Sequence, residues 1–316
     1  MKPIIYTSPY SDRHNTGDGH PESPARITAL EELFQTAPFK DFPQKQSTQA
    51  ELEHILLAHD EDYVFDLQDK TPDQGLFYLD GDTILSPNSY EAALYSAGAV
   101  INAVDDVMAE DSTSIFCATR PPGHHAEPNQ ALGFCLFNNV FIGARYAQEK
   151  YGVKKIAIVD FDVHHGNGTE TMTRRHNKTH PDKPILYIST HGHPLFPDGI
   201  NGTGDPADNN ENLLNIRLPN NCESDEFRNT YETQVFAHLE QFKPEFLMIS
   251  AGFDAHIDDP LANMRLKHDD FPFLAQKLDE IALKYSKNRL ISILEGGYNI
   301  PALTKSVQAY LEGLVL

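Results

Sequence analysis

Ile158-Val159-Asp160-Phe161-Asp162-Val163-His164-His165-Gly166-Asn167-Gly168 is the stretch on which the fold turns. An apolar run ends in Asp-x-Asp-x-His and then breaks at glycines. Alternate residues of a strand point to the same side, so Asp160, Asp162 and His164 are expected to start out together. The Gly-rich turn falls where a parallel strand presents its carboxyl tip. Three metal-competent groups at one tip are costly to bury unless a cation or a proton relay uses them.

Three more apolar runs end in the same way. Ser114-Ile115-Phe116-Cys117-Ala118 leads into Arg120-Pro121-Pro122-Gly123-His124-His125-Ala126-Glu127. Met248-Ile249-Ser250-Ala251-Gly252-Phe253 ends in Asp254-Ala255-His256. Leu290-Ile291-Ser292-Ile293-Leu294 ends in Glu295-Gly296-Gly297-Tyr298. Ionisable or hydroxyl groups at four such ends are the layout of an α/β active site, with the chemistry at the carboxyl ends of the strands.

Strand-like runs cover 2–7, 114–118, 155–162, 184–190, 212–219, 245–253 and 290–297. Helical spacing covers 24–36, 90–109, 138–150, 225–242, 269–285 and 301–314, the first opening with Pro24 after Ser23. This alternation predicts an α/β fold: a mainly parallel sheet with helices on both faces, read as one domain over 1–316. The stretches 8–23, 71–89, 119–133 and 191–211 are rich in Gly, Pro, Asp and Asn and are expected to form the rim of a pocket. His14, His176, His180, His191 and His193 are read as loop residues, mostly solvated, with His193 a candidate for the rim near Phe196.

The chain has 46 acidic and 25 basic residues, a formal charge of −21. That balance argues against nucleic acid as a partner, because phosphate binding needs a basic face. Three cysteines (Cys117, Cys135 and Cys222) make no disulfide framework in a chain of this length. No signal-peptide pattern or membrane-length apolar run is found. A reducing cytoplasm is the expected location, with no membrane partner.

Two carboxylates and one imidazole, from Asp162, His164 and Asp254, suit Zn²⁺ and leave room for water and substrate. Fe²⁺, Co²⁺ or Mn²⁺ would tolerate the same donors. His125 is assigned as general base and then general acid, and His124 as a charged or orienting ring held by Asp160. Tyr298, aimed by Gly296 and Gly297, would donate to the oxyanion of a tetrahedral intermediate. The combination spells metal-assisted hydrolysis of an amide, releasing a free amine. Alone, an Asp-x-His is more often a buried polar pair and a Gly-Gly-Tyr turn means little. Gly166-Asn167-Gly168 lacks the Lys-Ser/Thr of a nucleotide loop.

These motifs resemble the zinc-dependent histone deacetylase family, closest to its class II-like branch and to bacterial relatives that include acetylpolyamine amidohydrolases. The resemblance extends to His20-Pro21-Glu22-Ser23-Pro24-Ala25-Arg26, to Asp80-Gly81-Asp82-Thr83 through Tyr90-Glu91-Ala92-Ala93, and to Gly133-Phe134-Cys135-Leu136-Phe137-Asn138-Asn139. It implies an arginase/deacetylase fold, a three-layer arrangement around an eight-stranded parallel sheet, one strand more than the seven runs above. It implies one Zn²⁺ on Asp162, His164 and Asp254, tandem histidines at 124 and 125, and Tyr298 as the oxyanion donor. Gly133, Phe134 and Phe196 would belong to a narrow substrate tunnel, with Asp82 the rim acid that grips the substrate backbone. Arg26 would adjoin an internal acetate pocket, and K⁺ would lie near Asp160 and Ser189. Asn167 stands where class I-like members have an acid beside the second histidine. An amide still orients the ring, as in the class II-like branch.

Three alternatives compete with this reading. An arginase-like ureohydrolase needs a second metal, but its extra acids would fall on Gly166 and Gly252. Dedicated polyamine deacetylases of the class II-like group carry a glutamate where this chain has Leu261, which favours an acyl-lysine peptide or another small acylated amine. Loss of catalysis, leaving a binding module, is disfavoured because every expected catalytic residue is present.

Overall fold

A computed structural model describes residues 2–109 and 114–315. In chain order its elements are β1 (Ile4–Thr7), α1 (Pro24–Phe34), β2 (Gln44–Gln46), α2 (Leu52–Ile55), α3 (Glu61–Lys70), β3 (Phe77–Tyr78), β4 (Ile84–Leu85), α4 (Ser89–Ala109), β5 (Ser114–Ala118), α5 (Asn139–Tyr151), β6 (Ile156–Asp160), α6 (Asn167–Thr179), β7 (Ile185–His193), β8 (Leu213–Pro219), α7 (Ser224–Thr230), α8 (Phe236–Phe242), β9 (Phe246–Ala251), α9 (Asp270–Tyr285), β10 (Leu290–Leu294) and α10 (Ile300–Gly313). The main sheet has eight strands in the order β2-β1-β5-β10-β9-β6-β7-β8, every pair parallel. β3 and β4 form a separate antiparallel hairpin.

The central strands are apolar throughout because both their faces are covered. Phe116, Val159, Ile188 and Ile249 join a core with residues of α1 and of α7 to α10. The alternate residues Ile115, Ile158, Tyr187 and Met248 join a second core with residues of α3 to α5. Each fully buried Ile, Leu or Phe side chain contributes about 1.5–3 kcal/mol through loss of contact with water. The result is the expected three-layer arrangement. No helix of the described residues is long and apolar enough to cross a membrane.

The eighth strand is β2, Gln44-Lys45-Gln46, which is exposed and, among the described residues, pairs only with β1. It carries no apolar pattern, and polar residues with a lysine are how an edge strand discourages further pairing. The helices α2, α3 and α6 were also absent from the helical stretches read above. The helix expected over 225–242 is interrupted by a π turn at Tyr231–Val235. Asn138 caps α5, its side chain accepting from the Phe141 N–H at 3.1 Å.

The solvated reading of the scattered histidines fails for three of them. His14, His176 and His191 are buried. His14 Nδ1 lies 2.7 Å from Ser89 Oγ, His176 Nε2 lies 2.9 Å from the Lys183 carbonyl oxygen, and His191 on β7 lies 3.0 Å from Ser189 Oγ. Each ring has a polar partner that makes burial tolerable. His180 stacks on His176 and is half-buried. His193 faces Asp198 at 3.3 Å.

Candidate active site

β5, β10, β9 and β6 are consecutive in the middle of the sheet. Their carboxyl ends deliver His124 and His125, Tyr298, Asp254, and the Asp160–His164 segment, so one sheet edge gathers all four motifs. The delivery from β6 differs from the simple pleat. The strand stops at Asp160, and side-chain turns carry the chain onward. The Asp162 N–H donates to Asp160 Oδ1 (3.2 Å), and the His164 N–H donates to Asp162 Oδ1 (2.9 Å).

Asp162, His164 and Asp254 are buried, and one donor atom from each lies within 4.8 Å of the others. His164 Nδ1 is 3.2 Å from Asp162 Oδ1 and 3.1 Å from Asp254 Oδ2. Backbone N–H groups hold the carboxylates from behind, Gly296 on Asp162 Oδ2 (2.8 Å) and Val163 on Asp254 Oδ1 (3.0 Å). The cradle tolerates only glycine. A Cβ at Gly252 would lie 2.0 Å from Asp162 Oδ2, and one at Gly296 would lie 2.0 Å from Asp254 Oδ2. Burial, then the charge of Asp162, pushes the Asp254 carboxyl up to about 7. Against burial, the two carboxylates pull His164 up to about 10. The group is short of positive charge, and a converging set of two oxygens and one imidazole nitrogen fits a divalent ion.

The tandem histidines are driven apart electrostatically. His124 Nδ1 is 3.0 Å from Asp160 Oδ2, which also accepts from the Tyr187 hydroxyl at 2.9 Å. Burial opposes its charge, but Asp160, Asp162 and Glu295 outweigh it and raise His124 to about 10. His125 Nδ1 is 2.9 Å from Asn167 Oδ1. Burial, then the neighbouring His124 and His164, holds it well below the usual histidine range. One ring therefore stays cationic and the other stays neutral, able to accept a proton.

Tyr298 is aimed by a hydrogen bond from its N–H to Asp259 Oδ2 (2.7 Å) and by the Arg26 guanidinium, 5.1 Å from its ring centre. Burial, then Asp254 and Asp162, pushes its phenol well above the usual range, so the hydroxyl keeps its proton and can donate.

A cavity of about 230 Å³ is lined by Asp82, His125, Gly133, Phe134, His164, Leu195, Phe196, Leu261 and Tyr298. Every substrate residue expected from the sequence is on that wall, and Leu195 was missed. Gly133 and Phe134 both have left-handed φ, +54° and +69°. A Cβ on Gly133 would lie 2.5 Å from the His125 ring and 3.0 Å from Phe196. His193 is not part of this lining. Neither is Arg26, which is fully buried behind Tyr298, where its Nε donates to the Gly297 carbonyl oxygen (2.7 Å) and its Nη1 to Glu22 Oε1 (2.9 Å). Asp160 and Ser189 are paired across β6 and β7, with the Ser189 hydroxyl between His165 (3.1 Å) and His191 (3.0 Å).

Sequence reasoning missed the supporting acids. Glu295 Oε2 accepts from the N–H groups of Gly123 (2.7 Å) and His124 (3.2 Å), which fixes the tandem-histidine turn. Glu127 accepts from the Asn167 amide (2.6 Å). Glu22 binds the buried guanidinium of Arg120 as well as Arg26. All three lie inside the motifs quoted above, but an acid there gives no signal of its role until its partner is known.

Comparison with known proteins places the chain in a family. A family model described as the histone deacetylase domain matches residues 20–314. The chain belongs to the histone deacetylase family. Membership makes it a hydrolase of amide bonds. An uncharacterised Synechocystis protein is 39% identical over 319 residues, covering 100% of both chains. A histone deacetylase-like amidohydrolase of Pseudomonas aeruginosa is 34% identical over 284 residues, covering 89% of this chain and 73% of that one. Among solved structures the HD domain of HDA15 superposes with a TM-score of 0.87 at 28% identity, covering 99% of this chain and 90% of the other.

Proposed function

We propose that this chain is a zinc-dependent deacetylase that removes an acetyl group from a lysine side chain or a similar small acylated amine. The observation that carries the proposal is the convergence of Asp162, His164 and Asp254 beside a cavity also walled by His125 and Tyr298. One zinc ion held by those three residues would supply Lewis acidity toward the amide carbonyl and the attacking water. His125 takes a proton from that water at Nε2, because Nδ1 is engaged by Asn167, and later returns it to the departing amine. His124, charged against Asp160, stabilises negative charge that develops nearby. The Tyr298 hydroxyl donates to the oxyanion.

Phe134 and Phe196 sleeve the aliphatic stem, with Gly133 keeping that sleeve open beside His125. Asp82 at the rim accepts from a substrate N–H. Arg26 serves mainly to brace Tyr298, and an acetate pocket beside it would need to open from the packing described above. A K⁺ ion near Asp160 and Ser189 is part of the same reading. We read 1–316 as one deacetylase domain. A cytoplasmic location is supported by three free, buried cysteines. No nucleic-acid partner is expected at a charge of −21.

The second reading is an acetylpolyamine amidohydrolase. Leu261 on the cavity wall disfavours it, since a second ammonium finds no charge there. An arginase-like two-metal centre is opposed by Gly252, where even a methyl group would overlap Asp162. Purified protein should hydrolyse an acetyl-lysine peptide faster than acetylputrescine, lose activity to a hydroxamate chelator, and contain one zinc per chain. Two manganese ions per chain with no deacetylation would overturn the proposal.

A further inference from the structure

We infer that Glu127 is a positioning residue for His125, acting through the side-chain amide of Asn167. The inference rests on the deacetylase reading only in treating His125 as the proton-transfer group. Glu127 is 2% exposed. Its Oε1 accepts from Asn167 Nδ2 at 2.6 Å and from Asn201 Nδ2 at 3.1 Å. Asn167 Nδ2 also donates to the His125 carbonyl oxygen at 3.2 Å, and Asn167 Oδ1 faces His125 Nδ1 at 2.9 Å. The approach is close because Gly168 has no side chain. A Cβ there would lie 2.1 Å from the Ala126 carbonyl oxygen.

The chemistry follows from what each group can donate. A carboxylate oxygen accepts and does not donate, so the Asn167 NH₂ must point toward Glu127. The amide oxygen is then left for His125, and His125 Nδ1 must carry the hydrogen. Nε2 keeps its lone pair, which is the form a general base needs. Without Glu127 the amide can turn over and present NH₂ to His125 Nδ1. The ring would then shift its hydrogen to Nε2 and lose its basic nitrogen. Asn201 lies in the loop that follows Phe196, so the same carboxylate also ties that cavity wall to the amide.

The test uses full-length, zinc-loaded protein and an acetyl-lysine peptide. Glu127→Ala is expected to lower kcat by roughly 10–100-fold, with KM changed less than about threefold and zinc content unchanged. Glu127→Gln, whose side-chain oxygen still accepts, should retain activity within about fivefold. Asn167→Asp sets two carboxylates against each other and should be worse than the double variant Asn167→Asp/Glu127→Gln, in which a glutamine NH₂ donates to the new acid. Independently of turnover, nitrogen NMR of ¹⁵N-histidine-labelled protein should find His125 protonated at Nδ1 in the wild type and shifted toward Nε2 in Glu127→Ala. A wild-type kcat and tautomer in Glu127→Ala would overturn the inference. So would an Asn167→Asp variant as active as the double variant, which decides the matter if Glu127→Ala does not fold. If the wild type hydrolyses no acylated amine, the proposed function fails, and the NMR comparison still decides the role of Glu127.

Discussion

Replacing Gly296 with alanine tests the proposed metal centre without replacing a ligand. The new Cβ would stand 2.0 Å from Asp254 Oδ2 and 2.6 Å from Asp162 Oδ2, whereas ordinary contact begins at 3.4 Å. Asp254 would have to retreat by about 1.4 Å and Asp162 by about 0.8 Å, while zinc–ligand distances hold to about 0.2 Å. Asp162 is also pinned to the Gly296 N–H, so it cannot retreat without breaking a hydrogen bond of 2.8 Å. Displacing two of three donors by several times that tolerance should weaken zinc binding by about 10²–10³-fold, or roughly 3–4 kcal/mol. Competition against a fluorescent zinc chelator measures this directly. Gly81→Ala is the control, since a Cβ there meets nothing within 4 Å. A folded Gly296→Ala protein that binds zinc as tightly as the wild type would refute the assignment of Asp162 and Asp254.

Tyr298→Phe should retain zinc and lose about 10²–10³-fold in kcat, the usual cost of one oxyanion donor; an unchanged rate would remove the phenol from the mechanism. Leu261→Glu should raise kcat/KM for acetylputrescine relative to an acetyl-lysine peptide by about tenfold, as one new charge pair near the surface would; steady-state kinetics on the two substrates decides it. The buried Glu22 carboxyl is held down at about 2 because, against burial, Arg120 and Arg26 favour its charge. A group depressed in the folded state stabilises above its unfolded pKa of 4.5 and loses that contribution as pH falls toward 2. The stability gap between wild type and Glu22→Gln should therefore shrink by about 2 kcal/mol between pH 6 and pH 3, measured by denaturant unfolding. A gap independent of pH would contradict the ion-pair account.

The central strands were legible because burial on both faces leaves near-continuous apolar runs, as in Ile156–Asp160 and Phe246–Ala251. The ionisable residues marked the site because four such runs end in them together, where one alone would more often be a buried polar pair. β2 was not legible, because Gln44-Lys45-Gln46 is held by backbone pairing with β1 and has no side-chain pattern to read. His14 was misplaced because its burial depends on a partner distant in sequence, Ser89, and His191 because the strand β7 runs on to His193, past the apolar run that ends at Thr190. Glu127 and Asp259 were invisible for a related reason. Each acts on a backbone or amide group more than thirty residues away, and single-chain periodicity carries no trace of that pairing.

Asp259 grips two things at once. Its Oδ2 accepts from the N–H of Tyr298 (2.7 Å), and its Oδ1 accepts from the N–H of Leu261 (3.0 Å). Under the proposed function, the lip that would sort incoming acylated amines and the phenol that would help cleave their amide bonds are thereby geared to one anchor. Lengthening or reshaping the 257–261 segment would drag the phenol out of line along with the lip. Retuning which amines are accepted, at no loss of speed, must come from side-chain exchange on a fixed main chain, or from the aromatic wall opposite.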